Sequence, residues 1–231
     1  MATETKRALI IGASRGLGLG LARELASRGV EVTATARDLD KATGLRDLPT
    51  SARLETIDID DAASVDALAG RLQGQTFDIV FINAGITGPS HESADAATIE
   101  EIGKLFATNA VSPIRLARKL VGNIKPETGT LAFMSSVLGS IAENTTGSKE
   151  LYRASKTALN SLVKSFVLGL DEKKKITVLT VHPGWVRTDM GGDDAPLDVA
   201  TSARGMVDQL EKHAGKGGLS FIDYQGVELP W

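Results

Sequence analysis

Short apolar segments rich in β-branched residues alternate along this chain with segments whose apolar residues have helical spacing. Seven strands are predicted, at Ala8–Ile11, Val30–Ala36, Leu54–Ile59, Ile79–Asn83, Thr130–Met134, Ile176–Val181 and Leu219–Ile222. The predicted helices between them are Leu17–Arg28, Ala63–Leu72, Ile99–Leu120, Tyr152–Leu170 and Val199–His213. Strands that are apolar on both faces and alternate with helices indicate a parallel sheet covered on both sides.

The length of the chain and its lack of linkers favour one domain. A chain of 231 residues with 42% hydrophobic content can bury one sizeable core. It contains no internal repeat, no low-complexity tract and no long linker. The charge run Asp171–Lys175 follows a predicted helix and is expected to form a solvated turn. We therefore predict a single α/β domain over residues 1–231, a doubly wound sheet of about seven strands with helices on both faces.

Composition excludes several classes of function. A net charge of −3 argues against nucleic-acid binding, and the absence of cysteine excludes disulfides, thiolate catalysis and cysteine-ligated metals. The histidines at 91, 182 and 213 lack the spacing of a zinc site, so no metal site is expected. The N-terminal apolar run is too short for a signal peptide, and no stretch approaches the ~20 apolar residues of a membrane span. A soluble cytoplasmic protein is expected.

The segment "ALIIGASRGLGLGLARELASRG" places a strand, three glycines and a helix in succession. Gly12 permits a tight turn, while Gly16 and Gly18 let the backbone approach a pyrophosphate at the helix N-terminus. Glycines also simply end strands, but the strand–turn–helix context favours dinucleotide binding. The spacing G-x-x-x-G-x-G resembles that of the short-chain dehydrogenase/reductase family, whose fold is of the Rossmann type.

The end of the second predicted strand bears on the choice of cofactor. An NAD site favours an acidic residue there, but Ala36 and Arg37 occupy the position, and Arg15 lies inside the glycine turn. Two guanidinium groups suit a 2′-phosphate, which a carboxylate would repel. The alternative is that both arginines are ordinary surface charges. The sequence favours NADP(H) over NAD.

The family resemblance implies further cofactor contacts. It implies roles for residues of the glycine turn, of the third and fourth strand ends and of the stretch after the sixth strand, namely Ser14, Leu17, Asp58, Ile59, Asn83, Ala84, Gly85, Pro183, Gly184, Val186 and Thr188. The family more often has a second asparagine before Asn83, where this chain has Ile82.

Tyr152 and Lys156 are four residues apart in a predicted helix, so their side chains share a face. An ammonium near a phenol favours the phenolate and is expected to lower the phenol pKa from its usual ~10. The pair alone fits either an acid–base catalyst or a coincidence. A serine pair, Ser135 and Ser136, ends the fifth strand, at the edge where doubly wound folds bind ligands.

In the family, Tyr-x-x-x-Lys after a serine-bearing strand is the catalytic centre. The resemblance implies that Tyr152 transfers a proton to or from the substrate oxygen, Ser136 donates a hydrogen bond to it, and Lys156 lowers the tyrosine pKa and binds the nicotinamide ribose. Asn109 matches an asparagine that distorts its helix and holds a water in a proton relay to the lysine. Read alone, Asn109 fits a solvent-facing helix position equally well.

Ser136, Leu138, Tyr152 and Trp185 are the predicted substrate contacts, beside a substrate loop near residues 189–200. Its glycine- and aspartate-rich segment "GGDDAP" is typical of a mobile lid, with no positive charge beyond Arg187 for an acidic substrate. Trp185 fits a pocket wall or a buried core position. Pro230 and Trp231 are expected to fold over the sheet or over a neighbouring subunit.

Several stretches, among them "YRASKTALN" and "HPGWVRTDMGG", resemble a branch of small NADPH-dependent carbonyl reductases. That branch implies an NADP-dependent oxidoreductase that reduces a ketone or aldehyde of a small, largely apolar substrate. The branch also includes a cell-contact signalling protein, so an NADP(H)-binding sensor remains an alternative. An NAD-dependent alcohol oxidiser is disfavoured by Ala36 and Arg37. The family resemblance further implies a homo-oligomer, either a dimer or a tetramer.

Overall fold

The sheet contains seven parallel strands in the order β3-β2-β1-β4-β5-β6-β7. The structure, a computed structural model, describes residues 5–91, 93–171 and 175–231. The strands are β1 Arg7–Ile11, β2 Glu31–Ala36, β3 Arg53–Thr56, β4 Ile79–Ile82, β5 Thr130–Met134, β6 Thr177–His182 and β7 Gly218–Asp223. Residues 172–174 of the charged run and the first four residues lie outside the described part of the chain.

Helices connect successive strands and cover both faces of the sheet. They are α1 Gly16–Ser27, α2 Ala62–Arg71, α3 Ile99–Phe106, α4 Ser112–Leu120, α5 Glu150–Leu168 and α6 Val199–His213. One apolar cluster lies between the sheet and the helices α1 and α6, and a second lies between the sheet and α2, α4 and α5. The predicted doubly wound fold with seven strands is confirmed.

Most elements lie within two residues of their predicted bounds, and two differ more. Strand β3 ends at Thr56, three residues early, because its partner β2 ends at Ala36, which pairs with Thr56. The predicted helix Ile99–Leu120 is continuous in the chain but contains a wide π turn over Ala107–Val111. This turn separates α3 from α4 and contains Asn109.

The C-terminal residues fold back over their own sheet. After β7, Leu229 donates its backbone N–H to the carbonyl of Phe221, and the rings of Phe221 and Trp231 lie 5.3 Å apart. The carbonyl of Trp231 accepts a hydrogen bond from Ala142, in the loop that precedes α5. Of the two predicted positions for Pro230 and Trp231, the structure has the one over the sheet.

Candidate active site

The glycine turn between β1 and α1 brings a helix N-terminus against the end of a strand. Gly12 has φ +83°, a left-handed conformation that glycine adopts without steric cost. A Cβ atom on Gly18 would lie 2.1 Å from the carbonyl oxygen of Gly12, so only glycine permits this approach. Asn83 at the end of β4 donates its amide to the same carbonyl at 2.7 Å. The turn is thus held from both neighbouring strands, since Thr35 of β2 accepts from the Gly12 N–H.

The start of α1 is suited to an anion. Among the described residues, no side chain caps the first turn of α1, whose N-cap residue is Arg15. The first amide groups of a helix need partners and carry a partial positive charge. Ser14 is partly buried within the turn, and Leu17 packs onto the core beneath it. A phosphate group fits this site.

Both arginines predicted to contact a 2′-phosphate lie on the surface at the glycine turn. Arg37 directly follows the buried Ala36 and is exposed. Arg15 forms an ion pair with Asp189 of the loop after β6, and both side chains are about three-quarters exposed (77% and 73%). The sequence did not predict this contact between the glycine turn and the substrate loop.

The other predicted adenosine contacts lie at the ends of β3 and β4. Asp58 is partly buried and Ile59 is buried, and the hydroxyl of Ser64 accepts the Asp58 N–H at 2.9 Å. Ala84 packs against the second core cluster. A Cβ atom on Gly85 would lie only 3.3 Å from Asn109 Oδ1 and 3.5 Å from Lys156 Nζ. The strand exit at Gly85 is therefore close to two predicted catalytic residues.

Asn109 is completely buried, which excludes the solvent-facing alternative. Its Oδ1 accepts the N–H of Ile86 at 2.8 Å, and its Nδ2 donates to the Ile86 carbonyl at 2.8 Å and to Ser155 Oγ at 3.0 Å. The side chain thus ties the π turn to the β4 exit and to helix α5. The distortion expected at this asparagine is present.

Ser136, Tyr152 and Lys156 lie where β5 ends against helix α5. Ser136 is buried, and its Oγ accepts the Leu138 N–H at 3.1 Å, which leaves its hydroxyl proton available to a substrate. The Lys156 ammonium donates to the Met134 carbonyl at 2.9 Å and lies 5.7 Å from the centre of the Tyr152 ring. Serine, tyrosine and lysine thus belong to two elements in direct contact, the turn after β5 and α5.

The pKa of Tyr152 does not follow the expected direction. Burial raises the pKa of Tyr152 to about 12, whereas the sequence predicted that Lys156 would lower it. Burial also lowers the pKa of Lys156 to about 8. Both shifts have one cause, since each charged form loses hydration in the interior. Lys156 Nζ donates to the Met134 carbonyl and lies 5.7 Å from the centre of the Tyr152 ring, and burial dominates the pKa of the phenol.

The stretch after β6 approaches the glycine turn from the other side. The Thr188 methyl group would lie 3.5 Å from a Cβ atom on Gly16, and the Thr188 hydroxyl accepts the Gly191 N–H. The Pro183 carbonyl accepts a hydrogen bond from a serine of α6, and Gly184 has φ +83°. Val186 is buried. Thr188, one of the predicted cofactor contacts, therefore lies beside the turn.

Hydrogen bonds within the predicted substrate loop join its beginning to its end. The Trp185 indole donates to the Gly191 carbonyl at 2.8 Å, and Arg187 donates to the carbonyls of Ala195 and Pro196. Trp185 is 57% exposed, so the buried-core alternative for this residue is wrong. The loop ends at residue 198, because helix α6 begins at Val199 and includes the last two residues of the predicted range 189–200.

Two residues that the sequence analysis missed contact site elements. Met190 Sδ lies 3.9 Å from the Tyr152 hydroxyl, and Asp60 accepts three side-chain hydrogen bonds from the long helix that carries Asn109. Asp60 follows Asp58 and Ile59 directly, and its donors Lys104, Thr108 and Ser112 are spaced by four residues. This spacing puts the three polar side chains on one face of a helix, and it is the sequence signal that could have indicated a common partner.

Within the described ranges, no group of three or more His, Asp or Glu side chains is placed to hold a metal ion. The same part of the chain contains no helix with the length and apolar character needed to cross a bilayer.

The family model for short chain dehydrogenases matches residues 6–196, most of the chain. The chain belongs to this family. The match spans the glycine turn, the Asn109 turn and the Ser–Tyr–Lys group. The family is one of oxidoreductases, which agrees with the site described above.

Relatives with solved structures share the fold over nearly their whole length. A carbonyl reductase from Pseudomonas aeruginosa in complex with NADP is 40% identical, has a TM-score of 0.91 and covers 99% of this chain and 100% of its own. The carbonyl reductase Sniffer of D. melanogaster is 34% identical, with a TM-score of 0.87 over 99% of this chain and 100% of its own. C-signal of Myxococcus xanthus is 38% identical over 67% of this chain and 92% of its own.

Proposed function

We propose that this protein is an NADP(H)-dependent carbonyl reductase that acts on a ketone or aldehyde of a small, largely apolar substrate. The observation that carries the proposal is the location of Ser136, Tyr152 and Lys156 at the same edge of the parallel sheet as the glycine turn. A fold that only bound a dinucleotide would need the turn but not a buried proton donor beside it.

The cofactor proposal rests on the fit of the turn to a phosphorylated dinucleotide. Gly12 and Gly18 open a cradle that a Cβ atom would fill, and α1 offers its uncapped first turn to the pyrophosphate. Arg37 and Arg15 lie where a 2′-phosphate needs cations, and Ala36 removes the carboxylate that NAD favours. The NADP in the Pseudomonas aeruginosa relative supports the same choice.

When bound, the cofactor supplies the hydride that adds to the carbonyl carbon. Tyr152 gives its hydroxyl proton to the carbonyl oxygen, and the high pKa of the phenol keeps that proton in place at neutral pH. Ser136 donates a hydrogen bond to the same oxygen and stabilises the negative charge that develops there. Lys156, whose Nζ lies 5.7 Å from the centre of the Tyr152 ring, stabilises the phenolate that remains and is proposed to bind the cofactor ribose.

The apolar substrate class follows from the side chains around the site. Trp185, Met190 and Ile141 are large apolar residues that remain exposed. The Arg187 guanidinium is already bonded to two carbonyls of its own loop, so it is not available to an acidic substrate. Leu138 in the turn after β5 and the loop from Asp189 to residue 198 would complete the contact surface.

A sensor that binds NADP(H) without obligatory turnover is the second candidate. The likeness to C-signal favours it, because that relative is named for a signal. The complete set of Ser136, Tyr152, Lys156 and buried Asn109 argues against it, because a sensor needs no proton donor.

The test is the oxidation of NADPH with a panel of aldehydes, ketones and quinones. Wild type should turn over with NADPH in preference to NADH, and Tyr152→Phe should lose about 100-fold or more in kcat because the proton donor is gone. Tyr224→Phe is the matched control, since the Tyr224 hydroxyl makes no hydrogen bond within the part of the chain that the structure describes. NADPH binding without turnover in wild type would favour the sensor.

A further inference from the structure

The π turn that contains Asn109 depends on contacts outside its own helix. A π turn lacks the regular hydrogen bonds of an α-helix and is rare in proteins. Asn109 holds one side of this turn through Ile86 and Ser155. One residue earlier, the Thr108 hydroxyl donates to Asp60 Oδ2 at 2.6 Å. Two consecutive residues of the turn therefore anchor it to different parts of the fold.

Asp60 also binds a residue on each side of the turn. Its Oδ2 also accepts from Lys104 Nζ at 2.7 Å, four residues before Thr108, and its Oδ1 accepts from Ser112 Oγ at 2.7 Å, four residues after. A lysine in the last turn of α3 and the first residue of α4 are thus fixed to one carboxylate.

Asp60 is charged when it makes these bonds. Burial alone would raise the pKa of Asp60, but the hydrogen bonds from Lys104, Thr108 and Ser112 together lower it below its usual range. The Asp60 N–H in turn donates to Asp58 Oδ1 at 3.0 Å, in the segment predicted to contact adenine. The carboxylate therefore joins the end of β3 to the helix that carries Asn109.

We propose that Asp60 is a positioning residue for Asn109: its carboxylate fixes the π turn and so places the Asn109 amide against Ile86 and Ser155 beside Lys156. The inference rests on the proposed function for its kinetic test, and on the hydrogen bonds above for its geometry. Asp60 itself contacts none of the residues predicted to touch the substrate. Its effect on turnover passes through Asn109.

The kinetic test is a double-mutant cycle with Asp60→Asn and Asn109→Ala. Asp60→Asn cannot accept all three hydrogen bonds, and we expect it to lower kcat about tenfold in the wild-type background and less than about twofold in the Asn109→Ala background. The dissociation constant of NADPH should stay within about twofold, because the backbone of Asp58 and Ile59 is held by Ser64.

Asp66→Asn is the matched control for this cycle. Asp66 forms an ion pair with Lys119 at 2.7 Å between α2 and α4, away from the π turn, so its loss should leave kcat unchanged. Equal kcat losses from Asp60→Asn in both backgrounds would overturn the proposal, as would a loss of NADPH affinity that accounts for the whole effect. If Asp60→Asn fails to fold, Thr108→Val removes one donor inside the turn and takes its place in the cycle.

A second measurement separates this inference from the proposed function. In nitrogen-15-labelled protein, the Asn109 side-chain amide protons, assigned by their absence in Asn109→Ala, should exchange about tenfold faster in Asp60→Asn than in wild type and equally fast in Asp66→Asn. Unchanged exchange in Asp60→Asn overturns the inference. If wild type has no activity but exchange is faster in Asp60→Asn than in wild type, the carbonyl reductase proposal alone is overturned.

Discussion

The guanidinium of Arg15 forms an ion pair with the carboxylate of Asp189, which connects the glycine turn to the loop over the proposed substrate site. Arg15 is also one of two cations proposed to bind the cofactor 2′-phosphate. The next residue, Met190, lies against the Tyr152 hydroxyl. Adjacent residues of one loop therefore contact both the proposed cofactor site and the proposed substrate site.

Asp189→Asn should bind NADPH about two- to fivefold more tightly, because Arg15 no longer has to break an ion pair with Asp189 before it binds the 2′-phosphate. The gain is small because exposed ion pairs are weak. NADH has no 2′-phosphate, so its affinity should not change. Quenching of intrinsic tryptophan fluorescence on titration with each cofactor gives both dissociation constants.

Asp193→Asn is the control for this change, since Asp193 is an exposed aspartate of the same loop. An equal gain in NADPH affinity for both variants would mean that the loop charge acts at a distance. An equal gain for NADH and NADPH would show that Arg15 does not contact the 2′-phosphate.

Gly18→Ala should abolish measurable cofactor binding and lower stability, because its Cβ atom would lie 2.1 Å from the Gly12 carbonyl oxygen and 2.6 Å from Asn83 Nδ2. Gly70→Ala is the matched change in α2, where a Cβ atom meets nothing within 4 Å. Alanine there should raise stability by about 0.5–1 kcal/mol through its better helix propensity. Thermal unfolding of both variants checks the contrast, and a stable Gly18→Ala that binds NADPH would contradict it.

The stability of the protein should rise with pH between about pH 8 and 10, because of Lys156. Burial lowers the pKa of Lys156 to about 8 in the folded state, so in this window the unfolded state binds a proton that the folded state does not. The free energy of unfolding should increase by up to about 3 kcal/mol across the window. Urea unfolding at several pH values measures it.

Lys156→Met should remove this slope, and Lys164→Met, an exposed lysine of the same helix, should retain it. Tyr152 acts in the opposite direction and only at the upper end of the window, since burial raises its pKa to about 12 and its unfolded value is near 10. Parallel pH profiles for wild type and Lys156→Met would show that Lys156 is charged in the folded protein.

His182 should cause a loss of stability on acidification. Burial lowers the pKa of His182 to about 4, and the charge of Asp223 opposes this only in part. As the pH falls from about 6.5 to 4, the unfolded state gains a proton first, and up to about 3 kcal/mol of stability is lost. His182→Gln should flatten the profile over this range in urea unfolding. If His182→Gln loses as much stability as wild type between pH 6.5 and 4, the loss is due to carboxylates and not to His182.

The strands and the chemistry-bearing residues could be predicted from the sequence because their signals are local. A strand buried on both faces needs a continuous apolar run, and the glycine turn needs glycine where φ is positive, as at Gly12. Tyr152 and Lys156 are four residues apart on one helix, so their common face follows from helical geometry.

The remaining features depend on contacts between distant segments. The π turn at Asn109 is hydrogen-bonded to Ile86, Ser155 and Asp60, whereas the residues of the helix alone predict a regular helix. The pKa of Tyr152 was predicted in the wrong direction, since spacing gives the nearby charge but not the degree of burial. The ion pair of Arg15 joins residues that only the folded chain brings together.

The central position of β1 has a consequence for synthesis of the chain. β1 pairs with β2 on one side, but its other edge waits for β4, where Ala8 pairs with Ile79. Until Ile82 has emerged from the ribosome, a strand that is apolar from Ala8 to Ile11 has an open edge, which is a template for association with other chains. A nascent chain stalled before that point, or a fragment ending there, should depend on chaperones more than the finished protein does.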